Sequence, residues 1–189
     1  MKKLLVAVVA LALLPIELPR AQPAAGPEIR LVLLIVVDQF RYDYLTRFRD
    51  QYTDGIKRLV SQGAVFTDAN LEHYPTVTAV GHATMLSGAT PSVSGIIGND
   101  WFDRASGATV TSVSDPTVTP VGSPTGAAAS PHRLLVSTIG DELKIASPHA
   151  KGSPDAPRAF GVSLKDRSAI LPPGRSADAA YWWDSKTGR

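Results

Sequence analysis

Residues Ile29 to Val37 read IRLVLLIVV, a continuous run dominated by Val, Ile and Leu. A strand with one wet face alternates apolar and polar residues, and this run does not alternate. The pattern is that of a parallel strand covered on both faces, which in turn demands helices above and below a sheet. Asp38 follows at the C-terminal end of the run.

The rest of the chain fits that demand. A helix is expected from about Thr53 to Gln62, with Ile56, Leu59 and Val60 on one face and Gly63 as its stop. A second strand is expected over Ala64 to Leu71, then the loop His73-Tyr74-Pro75-Thr76-Val77-Thr78 and a small-residue helix from about Ala79 to Leu86. Ala105 to Pro131 is rich in Ser, Thr, Ala, Gly and Pro and reads as loop, with hairpin character at Thr109 to Val113. Leu135, Ile139 and Leu143 recur at helical spacing within an expected helix from His132 to Ile145. A third strand is expected over Ala159 to Leu164, with Lys165 just past it. Strands alternating with helices predict an α/β fold with a mainly parallel sheet. Three strands make a thin sheet, and the chain ends as an apolar segment, YWW, turns polar. Residues 26–189 are therefore expected to be the N-terminal portion of a larger domain.

Composition narrows the classes further. The 189 residues carry a net charge of +2, with 44% hydrophobic and 19% charged residues. That balance supports a packed core and excludes whole-chain disorder. With no Lys/Arg run after the first three residues, nothing points to nucleic acid. Met1-Lys2-Lys3, the apolar run Leu4 to Leu14, Pro15 and small residues at Ala21, Ala24 and Ala25 have the order of a secretory signal peptide, cleaved near Ala21 or Ala25. The run is too short to cross a bilayer, which needs roughly 20 apolar residues. Export to the periplasm or beyond is expected, with no stable membrane insertion after cleavage. The chain has no cysteine, so it has no disulfide or lipid anchor, and any metal would be held by oxygen or imidazole.

Several residues fall where open α/β sheets bind ligands, at strand ends and helix starts. Asp38 is either a turn or N-cap residue or a cation ligand. Thr78 opens the second helix as a cap or as a reactive hydroxyl, and Asn99 in Gly98-Asn99-Asp100 is a turn residue or an amide donor. Lys165 and Arg167, two apart, would share one face of extended chain with Asp166 opposite. As a set they suit a phosphate. A helix N-terminus favours an anion, Lys and Arg grip phosphoryl oxygens, and an amide supplies one more donor.

The segments LIVVDQFRYDYL, FTDANLEHYPTVTAVGHATMLSGATPSVSGIIGNDWFD and FGVSLKDRSAILPPGRSADAAYWWD resemble the type I phosphodiesterase/nucleotide pyrophosphatase branch of the alkaline phosphatase superfamily. Within it they are most similar to the broad-specificity bacterial alkaline phosphatases with a threonine nucleophile. The resemblance runs from Ile29 onward and is carried by the Pro-Thr-x-Thr-x-x-Gly-His loop, Gly-Ile-Ile-Gly-Asn and Ser-Leu-Lys-Asp-Arg. It implies a three-layer sandwich. It also implies Asp38 as a zinc ligand, Thr78 as the nucleophile that touches zinc, Thr76 as a supporting loop residue, Asn99 as a phosphoryl-oxygen donor, and Lys165 and Arg167 as the phosphate-gripping pair. His82 lies in the motif and reads as structural; His73, His132 and His149 receive no role.

The resemblance further implies two zinc ions, most of whose ligands would lie beyond Arg189. Zinc would lower the pKa of the Thr78 hydroxyl, which would attack a small-molecule phosphate monoester to form a phosphothreonine. The chain alone is expected to be inactive. Two alternatives stand beside this: a nucleotide pyrophosphatase/phosphodiesterase of the same superfamily, and a non-catalytic truncated fragment. A sulfatase fits less well, since the chain has no Cys and no Ser within a C/S-x-P-x-R motif.

Overall fold

The computed structural model describes residues 29–122 and 126–188. The signal-peptide segment lies outside the described residues. The chain divides into two compact units, residues 1–40 and 41–189.

In the first unit, the expected strand over Ile29 to Val37 is not formed. The segment has no strand partner among the described residues, and both sides of it are open: Leu31 is 78% exposed and Val32 70%. Apolarity makes a segment bury well in a sheet, but a strand exists only where a neighbour completes its hydrogen bonds. The run ends in a turn closed by the Phe40 N–H on the Val37 carbonyl at 3.3 Å, with Asp38 at its second position. Gln39 at the third position has φ +62°, the left-handed value that type II turns require there.

The second unit begins with two short turns of helix, α1 (Tyr44–Arg47) and a 3-10 turn (Arg49–Gln51). Helix α2 (Gly55–Gln62) follows as expected, and the Gly63 N–H closes it on the Leu59 carbonyl. The strand expected over Ala64 to Leu71 is not formed; these residues are exposed and have no strand partner among the described residues. Helix α3 (Thr78–Ser87) matches the expectation and stops at Gly88, whose φ of +66° is left-handed. A single turn, α4 (Pro91–Ser94), leads to an antiparallel hairpin of β1 (Asp100–Asp103) and β2 (Ala108–Thr111).

Helix α5 (Ile139–Ala146) is shorter than the helix expected from His132. Thr138 explains the late start. It forms a capping box with Asp141, which fixes the first turn there and leaves 132–137 as turn and loop. Strand β3 (Phe160–Ser163) pairs in parallel with β4 (Ala179–Trp182), Phe160 opposite Ala179 and Ser163 opposite Trp182. Helix α6 (Asp166–Ile170) makes the crossover between them. Among the described residues the sheets are this parallel pair and the antiparallel hairpin, within an α/β arrangement.

One core holds the unit together. Ala79 and Ala83 of α3 meet Ile96, Val113, Leu134 and the Ile170–Leu171 end of α6, with Trp101, Ala180 and Trp182 packed around them. Full burial of Ile96, Leu134 and Leu171 contributes about 1.5–3 kcal/mol each. The alanines of α3 let α6 approach closely. Gly161 does the same in β3, where an added Cβ would fall inside the Ala169 carbonyl of α6.

Candidate functional site

Thr78 is the first residue of α3, and Val77, the N-cap, has no side-chain oxygen with which to cap the helix. The first N–H groups of a helix need acceptors from outside it. Asn99 provides one: its Oδ1 accepts the Ala79 N–H at 2.9 Å. Asn99 is held from the other side as well, because its backbone carbonyl accepts the Ser112 N–H at 2.9 Å and so extends the β1–β2 ladder. Since Ala79 N–H is a donor, the amide oxygen must face it, and the Nδ2 donors are turned the other way. The sequence singles out both residues, with roles that come from the family resemblance, but not this bond, which joins positions 20 apart.

Thr78 is half-buried, whereas Thr76 is exposed. His82 is buried one helical turn further on, and its Nδ1 lies 2.8 Å from the Thr78 carbonyl. That contact ties His82 to the backbone of its own helix. Both ring nitrogens of His73 are buried without a hydrogen-bond partner.

Lys165 and Arg167 flank the start of α6, the helix that packs on α3. They do not share one extended strand as expected. Lys165 is extended (φ −118°, ψ 141°) and exposed, but Arg167 is already helical. Asp166 is not on the opposite side either. Its Oδ1 accepts the Arg167 N–H at 2.7 Å and lies 3.6 Å from the guanidinium Nη1. The Arg167 Nε is buried with no acceptor. The guanidinium is thus satisfied on its Nη1 side by Asp166 and unmatched at Nε, as Arg133 also is at its Nε.

Asp38 belongs to the first unit, at its turn; Thr78, Asn99, Lys165 and Arg167 belong to the second. Among the described residues no three His, Asp or Glu side chains gather into a group able to hold a metal ion.

Two other carboxylates are tied down by hydrogen bonds, Asp115 in a loop and Asp141 in the first turn of α5 on its buried side. Asp115 is buried and accepts the Ser130 hydroxyl and both the hydroxyl and N–H of Thr117. The Ser130 bond, then the Thr117 bonds, hold its pKa down at about 2. His132 Nδ1 lies 3.5 Å from it. Asp141 is buried as well. Burial alone would raise its pKa, but bonds from the Ser176 hydroxyl and N–H, the Thr138 N–H and the Arg175 N–H outweigh this and lower it.

Residues 32–183 match the family model described as type I phosphodiesterase / nucleotide pyrophosphatase. The chain is 40% identical over 168 residues to alkaline phosphatase PafA of Elizabethkingia meningoseptica, covering 87% of this chain and 30% of that protein. It is 41% identical over 175 residues to alkaline phosphatase PhoV of Synechococcus elongatus, covering 89% of this chain and 31% of that one. Wild-type PafA in its crystal structure superposes on it with a TM-score of 0.74 at 41% identity, over 82% of this chain and 29% of that chain. A PafA variant with one Thr, one Asn, one Lys and one Arg replaced gives the same TM-score at 38% identity. The chain thus spans about 30% of the length of the curated relatives it matches and has the α/β fold of the N-terminal portion of PafA. With the family model covering most of its length, the chain belongs to the type I phosphodiesterase/nucleotide pyrophosphatase family.

Proposed function

We propose that this chain is the N-terminal part of a catalytic domain that hydrolyses small-molecule phosphate monoesters, with Thr78 as nucleophile. The observation that carries the reading is the Asn99–Ala79 bond, which sets an amide with free-facing donors beside a hydroxyl-bearing residue at a helix N-terminus. The buried, unmatched Nε of Arg167 on the adjoining helix supports it. So do the alkaline phosphatases PafA and PhoV, to which the chain is similar, and the PafA variant, whose four replaced residue types are the four combined here.

In the proposed reaction the Thr78 Oγ forms a bond to phosphorus as the ester P–O bond breaks, and the alcohol leaves with one proton. The Asn99 Nδ2 donors, Lys165 and Arg167 hold the non-bridging oxygens, on which the charge sits throughout. Water then cleaves the phosphothreonine, returning the Thr78 hydroxyl and releasing inorganic phosphate. Zinc belongs to the proposal as a property of the longer protein. Asp38 and Thr78 offer oxygen donors of the right kind, but two donors fall short of the four that zinc usually takes. The described residues do not complete such a centre, and the remaining ligands would come from outside them. Export through the N-terminal segment is proposed on the same footing; among the described residues no helix is long and apolar enough to cross a membrane.

The test is a phosphoenzyme trap on a protein carrying this segment at the relatives' full length. Acid quenching during turnover of an aryl phosphate, followed by peptide mass spectrometry, should find phosphate on Thr78 and not on Thr76. Phosphate on Thr76, or turnover without any phosphorylated threonine, would remove Thr78 from the role. A better rate on bis-aryl phosphates than on aryl phosphates would favour the phosphodiesterase reading.

A further inference from the structure

A cavity of about 220 Å³ lies away from Thr78, bounded by the end of α5, the segment around 149–158 and the residues just before β4. Its position in the fold is the first argument. Arg158 precedes β3 and Asp178 precedes β4, so the cavity sits at the amino ends of the parallel pair. Lys165 and Arg167 follow the carboxyl end of β3. A four-residue strand separates the two places by about 13 Å. Catalytic sites of open α/β sheets lie at the carboxyl ends, so this cavity is not an extension of the candidate phosphate site.

Charge is the second argument. Lys144 donates to Asp178 at 2.6 Å and to the Ser176 carbonyl at 2.6 Å, a closed pair that also fixes the wall of the cavity. Asp178 further accepts the Ala159 N–H at 2.7 Å, and it is the one carboxylate in the lining. Lys144, Lys151 and Arg158 face a single carboxylate in the lining, and although Arg158 also acts on Asp178, the cavity wall keeps an excess of positive charge, with the His149 imidazole beside it. Ile145, Ala156 and Pro157 give the same cavity an apolar wall, and Ile145 is 74% exposed there. Inorganic phosphate would leave most of the space and the apolar wall unused.

We infer that this cavity is a second anion site that takes a small organic anion, with its acid group held by Lys151 and Arg158 and its apolar body on Ile145 and Pro157. The size excludes a drug-sized molecule, since such sites run to about 300 Å³ or more. A ring with one carboxylate is the scale that fits.

Saturation-transfer NMR of benzoate with the purified protein tests this, with benzyl alcohol as the neutral counterpart and inorganic phosphate as competitor. Benzoate should bind with a dissociation constant of about 1 mM or tighter, and benzyl alcohol at least about tenfold more weakly. The double variant Lys151→Ala/Arg158→Ala should weaken benzoate at least about tenfold. Both side chains are exposed, so the variant should keep the wild-type circular dichroism melt. Lys165→Ala/Arg167→Ala should leave benzoate affinity unchanged, which separates this site from the phosphate site. The inference is overturned by absent benzoate binding, by equal binding of benzyl alcohol, or by displacement of benzoate by equimolar phosphate. Loss of binding in the Lys165/Arg167 variant and not in the Lys151/Arg158 variant overturns it too.

Discussion

The Oδ1 of Asn99 caps helix α3 through the N–H of Ala79, the residue next to Thr78. One side chain thereby holds the helix start with its oxygen and keeps its two N–H donors on the other side of the amide. The two jobs can be separated. Asn99→Asp keeps an acceptor for Ala79 and a charge that the helix N-terminus favours, but it removes the donors and sets a negative charge near the phosphate. Asn99→Ala removes both. Asn99→Ala should lose about 1 kcal/mol of stability and Asn99→Asp almost none. Both should lower kcat/KM for an aryl phosphate by about 10²–10³. Thermal melts and steady-state kinetics of the pair check this; an Asn99→Asp variant with full activity would show that the amide donates nothing.

Gly161 sets how close β3 and α6 lie. An added Cβ would meet the Ala169 carbonyl, a backbone group that cannot swing aside as a flexible side chain does. Gly161→Ala should therefore destabilise by about 1–3 kcal/mol and push α6 away, carrying Arg167 with it. The expected kinetic mark is a fall in kcat/KM on aryl phosphate larger than for Gly55→Ala, a position in α2 with open space around it and no left-handed φ. A mild melt shift together with unchanged kinetics would show that α6 tolerates the displacement.

Asp141 should make the protein acid-sensitive. Its folded pKa lies below the ordinary value of 3.8, so the folded state prefers it ionised. The stabilisation is complete above the unfolded pKa and fades as pH falls through the folded one. Denaturant midpoints measured from pH 6 down to about 2.5 should fall steeply below about 4. In Asp141→Asn the curve should be flatter over that window. At pH 7 the variant should be at least about 2 kcal/mol less stable, because an amide NH₂ would face N–H donors from Thr138, Arg175 or Ser176. A parallel pair of curves would place the acid sensitivity elsewhere, with Asp115 the next group to replace.

What the sequence made legible follows from how local the cause is. The start of α3 near Thr78, the Gly63 stop of α2 and the strand β3 each depend on a few neighbouring residues. The late start of α5 was missed although its cause is local, because the apolar spacing of Leu135 and Ile139 outweighed the Thr138–Asp141 capping box in the reading. Ile29 to Val37 and Ala64 to Leu71 fail for a different reason. Strand formation needs a partner, and no pattern within a segment states whether one is present. Helix α6 escaped because Leu-Lys-Asp-Arg-Ser reads as loop by composition; buried Ala169, Ile170 and Leu171 hold it against the core. The Asn99 cap was invisible for the same reason as the strands, since its donor is a backbone N–H 20 residues away.

The helical position of Arg167 bears on whether the site prefers monoesters. A monoester brings three non-bridging oxygens and nearly two negative charges, a diester two oxygens and one charge, so added cations help the monoester more. Arg167 does not sit beside Lys165 on one strand face; it lies in the first turn of α6, with Nη1 near Asp166 and Nε unmatched, and in the proposed site it would come from that turn. Lys165 approaches from the extended residue before that turn. Two cations arriving from different directions can hold different oxygens, which suits the three-oxygen face of a monoester. Lys165→Ala with Arg167→Ala should lower kcat/KM for an aryl phosphate more than for a bis-aryl phosphate, by at least about 2–3 kcal/mol. Arg167→Lys should recover only part of the loss, because Lys keeps the charge but not the planar fork. Steady-state kinetics of both esters on a protein carrying this segment at the relatives' full length, and on these variants of it, decide it. Equal losses on the two esters would mean that the pair does not select monoesters, and the phosphodiesterase reading would then replace this one.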